Sequence, residues 1–186
     1  MRADALSGGF GDPSADAAFA FRAALDAMAR PGTIRDIAGA APPPPLSPAA
    51  GALMLALCDP ETPVWLAPSL ATEDVRRWLA FHAGAPLAPR AEARFAFGRW
   101  EEMAPLSDFA IGTDEYPDRS ATLVVEVGAL EGDDRLTGPG IETEAFLRLP
   151  DPAAHRANRA LFPLGLDVFL TCGARLAALP RTVRVG

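Results

Sequence analysis

Residues 168–172, VFLTC, are apolar on both faces of an extended chain, and that one run calls for a sheet covered on both sides. A strand with one face in water would alternate apolar and polar residues, and this one does not. Gly173-Ala174 follows, with glycine first, as a two-residue II′ hairpin turn requires. Residues 175–179 then pair back, and Pro180, which donates no ladder hydrogen bond, stops the return strand.

The rest of the chain alternates strand and helix signals, as an α/β domain does. Asp12-Pro13-Ser14 offers caps for a helix in which Ala18, Phe21, Leu25 and Met28 recur at spacings of three and four as one apolar face. Pro31-Gly32 ends that helix, and residues 33–37 read as a short strand. The four consecutive prolines at 42–45 make a stiff, extended connector inside the domain. Residues 48–57 are nearly all apolar and predict a helix buried on most sides. A strand follows over 62–66. Thr72 caps a third helix to about residue 83, with Val75, Trp78, Leu79 and His82 on one side. Residues 94–97 form a strand in which Phe95 and Phe97 share a face. Over 121–127, Leu123, Val125 and Val127 point one way, and Thr122 and Glu126 the other. A short strand is expected at 135–137, and Asp151-Pro152 opens a helix reaching about Leu161. The 186 residues suit one domain. The expectation is a partly disordered leader over 1–13, then a single α/β domain over 14–186. Its architecture should be a three-layer αβα sandwich around a mixed sheet.

Composition excludes whole classes of chemistry. All seventeen basic residues are arginine. Without a lysine amine no Schiff base to pyridoxal phosphate forms, and the phosphate-loop signature ending in Gly-Lys-Ser/Thr is absent. A net charge of −7 argues against nucleic-acid binding. Cys58 and Cys172 stand far apart, too few for an iron–sulfur cluster and unlike a disulfide scaffold. Four scattered Cys and His residues make no zinc site, so no metal is expected. There is no G-x-S-x-G elbow. The N-terminus lacks an apolar signal-peptide core, and the longest apolar stretch, 46–58, is broken by Pro48 and too short for a bilayer. A soluble, cytoplasmic protein with no membrane partner is expected.

The candidate site residues each carry a second, structural reading. His82 could titrate near neutral pH as a base or phosphate partner, or satisfy carbonyls at its helix end. His155, beside Arg156 and Arg159, reads as part of a solvated helix face. In LTGPGI, residues 136–141, Thr137, Gly138 and Gly140 could turn backbone N–H groups toward an anion, and a tight turn is the favoured reading. The acidic groups Asp114/Glu115/Asp118 and Glu131/Asp133/Asp134 could hold magnesium with a phosphate, and solvation is again favoured. Arg22 and Arg181 sit among apolar residues. Such arginines favour a bidentate partner, a carboxylate of the fold or a phosphate ligand, and spacing leaves both open. Asp167 opens an otherwise apolar strand, which calls for backbone donors or an arginine beside it.

Several blocks taken in order resemble a known family. FRAALDAMARPG (21–32), FHAGAPL (81–87), LTGPGI (136–141), FPLGLDVFLTCG (162–173) and LAALPRT (176–182) are similar to the PhnH subunits of the carbon–phosphorus lyase system. The resemblance runs from about residue 19 onward and is thin over 88–118. It implies a role in bacterial use of alkylphosphonates, in a core complex with PhnG, PhnI and PhnJ subunits. ATP would be a substrate of that complex, joined to methylphosphonate as ribose 1-methylphosphonate 5-triphosphate with release of adenine. The nucleosidase step would belong to PhnI and the radical cleavage to PhnJ, leaving this chain without a cofactor and inactive alone. The implied fold is similar to the large domain of pyridoxal-phosphate-dependent transferases, without the cofactor or its lysine. No catalytic residue carries over. Arg22, His82, Thr137, Gly138, Gly140, Asp167 and Arg181 remain candidates for a ligand pocket or an interface. Homodimerisation through exposed apolar surface is expected, and a free-standing binder of small phosphorylated metabolites is the alternative.

Overall fold

A computed structural model describes residues 6–186. The chain runs α1 (Pro13–Ala29), β1 (Arg35–Asp36), α2 (Pro48–Leu57), β2 (Val64–Leu66), α3 (Glu73–His82), β3 (Phe95–Arg99), α4 (Trp100–Met103), β4 (Thr122–Glu126), β5 (Asp134–Thr137), β6 (Ala145–Leu147), α5 (Pro152–Arg159), β7 (Asp167–Cys172), β8 (Arg175–Leu179) and β9 (Arg184–Val185). The main sheet has six strands in the order β1-β8-β7-β4-β3-β2. Strands β2, β3, β4 and β7 are parallel, and β8 and β1 add antiparallel at one edge. The fold is therefore α/β with a mixed sheet, as the alternating pattern predicts.

The helix starts are set by local chemistry. The side chains of Asp12, Ser47, Thr72 and Asp151 each accept a backbone N–H three residues on, which satisfies one of the donors a helix leaves open. Gly173, at φ +61°, opens the two-residue turn that pairs Cys172 with Arg175. Its glycine takes the left-handed conformation at no steric cost.

One face of the sheet is covered by α1, α2 and α3, whose alanines and leucines pack on Phe97, Val124 and Phe169. The face expected for α1 needs correction. Ala20, Ala24 and Ala27 are buried, while Phe21 and Leu25 are 49% and 57% exposed. Periodicity favours the bulkiest residues. Here the small ones win, because a row of alanines lets α1 approach the small-residue surface of α2 closely. The second covering layer also differs from a plain helical one. A three-stranded antiparallel sheet, β6-β5-β9, packs Leu136, Leu147 and Val185 against Leu123, Val125, Val168 and Leu170. Strands β6 and β9, only three and two residues long, carried too few residues to show a period in the sequence.

The leader is in contact with the domain from residue 7 onward. The Trp78 indole N–H donates to the Ser7 carbonyl at 3.0 Å, Ala41 N–H donates to Gly8 O at 2.8 Å, and Phe10 packs on the helical core. Residues 1–5 of that leader lie outside the described residues. Among the described residues no helix is long and apolar enough to cross a membrane.

Candidate functional site

The two ends of the parallel strands differ in chemistry. Beyond their carboxyl ends, where ligands of open α/β sheets usually bind, lies a cleft of about 920 Å³. Its walls come from Pro45 of the proline connector, Leu70 after β2, Arg99 to Glu101 at the end of β3, Glu126 to Ala129 after β4, and Arg148 to Pro150 after β6. Sheet register builds the floor. Arg99 pairs with Glu126 and Glu126 with Thr171 across β3, β4 and β7, so the three form one row on the face that α2 covers.

Glu126 anchors that row. One carboxylate oxygen accepts the Ser47 N–H at 2.8 Å at the start of α2, and the other accepts the Thr171 hydroxyl at 3.1 Å. Burial raises its pKa, and the hydrogen bonds from Ser47 and Thr171 and the nearby Arg99 charge offset part of that effect. Arg99 and Arg148 are exposed, and neither guanidinium makes a salt bridge among the described residues.

Trp100 forms part of the wall and is stacked on His155, with ring centroids 5.2 Å apart and planes at 29°. His155 is 6% exposed, which corrects the solvated-face reading. Arg156 and Arg159 beside it do reach outward, to the carbonyls of Gly186 and Thr182. Burial pushes the His155 pKa down to about 4, against the opposing pull of Asp151 and Asp134. The unfolded chain therefore binds a proton that the folded one refuses. The contribution of His155 is complete above about pH 6.5 and is lost as pH falls toward 4, a difference of about 3 kcal/mol. Urea titrations at pH 7 and pH 4.5 should show His155→Phe losing less stability between the two than the wild type. An equal loss in both would remove His155 from the account.

The residues singled out in the sequence lie elsewhere and do not form one pocket. Arg22 is exposed on α1. His82 ends α3 with its ring against Trp78 and Phe81, at 5.1 and 4.9 Å between centroids. A Cβ built on Gly9 would fall 2.4 Å from His82 Nδ1, so the leader backbone lies directly on the imidazole. His82 is a packing element. Thr137 closes β5, and Gly138 approaches Thr182 O, just after Arg181. At Gly140, φ is +81° and a Cβ would fall 2.1 Å from Ala29 O. On that side the turn packs against the end of α1. The run forms a tight turn, in which the Ile141 N–H donates to Gly138 O at 3.1 Å.

Asp167 and Arg181 do meet, at the amino end of β7. The register that pairs Val168 with Leu179 carries Asp167 opposite Pro180, next to Arg181. The Arg181 backbone N–H and Nε donate to Asp167 Oδ1 at 2.8 and 3.2 Å, and Nη2 donates to Oδ2 at 2.6 Å. The same guanidinium also donates to Pro117 O at 2.8 Å and to the Ser120 hydroxyl. Of the two partners that spacing left open for Arg181, the fold supplies the carboxylate. Two members of the second acidic group have structural work. Glu131 pairs with Arg175, Asp134 accepts the Leu149 N–H at 2.8 Å, and no metal-holding group occurs among the described residues.

The amino ends of the strands carry an apolar groove of about 420 Å³, lined by Phe21, Leu25, Met28, Leu57, Phe95 and Phe169 among others. Arg99, Glu126 and Arg148, the polar groups of the opposite cleft, escaped the sequence reading. Glu126 closing an apolar strand was a usable signal. The proximity of Arg148 depends on how the small sheet docks and left no local trace.

Comparison with known proteins finds the same family that the sequence blocks resemble. The family model described as "Bacterial phosphonate metabolism protein (PhnH)" matches residues 8–186. A protein of Rhizobium meliloti (strain 1021) named "Alpha-D-ribose 1-methylphosphonate 5-triphosphate synthase subunit PhnH" is 47% identical over 189 residues, covering 96% of this chain and 94% of that protein. The "Putative C-P lyase subunit protein HtxG" of Stutzerimonas stutzeri is 40% identical over 82 residues, 40% of this chain and 42% of its own length. The chain belongs to the PhnH family of bacterial phosphonate metabolism proteins.

Proposed function

We propose that this chain is a non-autonomous subunit of a ribose 1-methylphosphonate 5-triphosphate synthase, acting in the cytoplasm in the carbon–phosphorus lyase route of phosphonate catabolism. The observation that carries the reading is the 47% identity to the Rhizobium meliloti subunit over 96% of this chain. The site chemistry supports a supporting role. Within the matched blocks, Asp167 and Arg181 are engaged with each other, and His82 and Gly140 are packed against neighbouring chain, while Arg22 stays exposed on α1. Burial and the neighbouring Asp59 push the Cys58 thiol up to about 12, so it is no ready nucleophile.

In this reading PhnG, PhnI and PhnJ type subunits are the partners, ATP and methylphosphonate are substrates of the assembled complex, and this chain brings no cofactor. The groove of Phe21 and Leu25 is the apolar surface offered for association, covered by a second copy when the chain is alone. The proposed likeness to pyridoxal-phosphate-dependent transferases is architectural only, because no lysine is present to hold that cofactor.

Tagged chain expressed with its neighbouring subunits should copurify with them in stoichiometric amount. It should also restore growth on methylphosphonate as sole phosphorus source to a bacterium lacking its own PhnH-type gene. A soluble, folded chain that neither copurifies nor restores growth would overturn the proposal.

A further inference from the structure

Seventeen arginines share a chain of net charge −7, and most of them are spent. Arg30, Arg35, Arg77, Arg90, Arg135, Arg175 and Arg181 sit in ion pairs. Arg156 and Arg159 donate to carbonyls, and Arg119 lies over the Tyr116 ring. Among the described residues that leaves Arg22, Arg76, Arg94, Arg99, Arg148 and Arg184 without an acceptor, all exposed. Two of those six, Arg99 and Arg148, line the same concavity.

They reach it from different walls, Arg99 at the carboxyl end of β3 and Arg148 just after β6. The carboxylates beside them do not neutralise both. Glu102 and Glu126 both feel the Arg99 charge, but neither forms an ion pair with it. Glu126 has its two oxygens committed to Ser47 and Thr171, Glu102 accepts from Ser69, and Arg148 has no carboxylate paired with it among the described residues. A carboxylate offers two oxygens in one plane and a single charge, whereas a phosphate or phosphonate offers three terminal oxygens in a tetrahedral array and more charge, which suits two guanidinium groups arriving from different walls. The volume of about 920 Å³ falls within the range of metabolite pockets and exceeds what an oxyanion alone would fill. Trp100, Val127 and Leu149 supply apolar wall for the remainder of such a ligand.

We propose that the cleft beyond β3 and β4 is a binding site for a small metabolite bearing a tetrahedral oxyanion, phosphate or phosphonate, gripped by Arg99 and Arg148. The site goes beyond the assembly role and stands or falls independently of it. It gives the chain a ligand of its own, on the opposite end of the sheet from the apolar groove.

Calorimetric titration of the full chain at low salt tests the assignment, with inorganic phosphate and methylphosphonate as probes and acetate as the carboxylate control. Saturable binding of the two tetrahedral anions is expected, tighter than that of acetate. Arg99→Ala and Arg148→Ala should each weaken it about tenfold or more, as loss of one charged hydrogen-bonding group does. Arg22→Ala and Arg94→Ala, which remove unpaired charges elsewhere, should leave it unchanged. Both cleft arginines are exposed, and unaltered melting temperatures would confirm that the variants fold. Heats that do not saturate in the millimolar range, or that are the same in the double Arg99/Arg148 variant, would overturn the proposal. So would tetrahedral anions binding no better than acetate. Copurification with the neighbouring subunits separates the two readings. A double variant that binds no anion yet copurifies in stoichiometric amount has lost the ligand site alone, whereas a wild-type chain that binds no anion and still copurifies refutes the ligand site and leaves the subunit role standing.

Discussion

Asp167→Ala should lower the melting temperature by on the order of 10 °C and leave little folded protein at physiological temperature in a marginal background. The substitution strands Arg181, whose side chain is 12% exposed, without the carboxylate that takes two of its side-chain donors and its backbone N–H. Removing one partner of a buried pair costs about 3–5 kcal/mol, because the remaining charge stays desolvated. For a domain of this size each kcal/mol moves the midpoint by about 2–4 °C. The damage should spread, since Arg181 also holds Pro117 O and the Ser120 hydroxyl and so ties the 117–120 turn to the β7–β8 hairpin. Calorimetric melting of Asp167→Ala and Asp167→Asn checks this, with the asparagine variant expected between alanine and wild type. An alanine variant that melts with the wild type but fails in the complex would turn Asp167 into a functional residue instead.

Gly140→Ala should be nearly as costly. The backbone there holds φ at +81°, which an L side chain adopts at about 1–2 kcal/mol. The added methyl would also meet Ala29 O at 2.1 Å, a backbone atom at the end of α1 that cannot rotate away. Overpacking of this kind typically costs about 1–3 kcal/mol more. A total near 3 kcal/mol should appear as a drop of roughly 6–12 °C in the melting midpoint. Gly173→Ala is the comparison, because its left-handed turn faces open space and bears the strain without the collision. If both variants melt alike, the contact between the LTGPGI turn and α1 is not what fixes that glycine.

How much of this was legible beforehand depends on how far apart the interacting residues stand. The β7–β8 hairpin and the Asp167–Arg181 pair follow from a two-residue turn, because once Gly173-Ala174 is placed the register is fixed along the whole ladder. The starts of α1, α2, α3 and α5 follow from one capping residue each. Local pattern failed where tertiary packing decided. Phe21 and Leu25 have the spacing of a core face, yet α1 buries Ala20, Ala24 and Ala27 and turns the large residues toward the groove. His155 is followed by Arg156 and Arg159 and still goes under Trp100. The cleft was the least legible feature. Arg99 and Glu126 are 27 positions apart and become neighbours only through parallel pairing, and Arg148 joins them only when the small sheet docks.

On the proposed function, this chain is necessary to a phosphonate-activating complex and insufficient without it. Omission from a reconstituted mixture of the partner subunits, ATP and methylphosphonate tests it most directly, with adenine release as the readout. The complete mixture should release adenine, the mixture without this chain should lose that activity, and the chain alone should release none. Undiminished release when the chain is left out, or turnover by the purified chain by itself, would contradict the account.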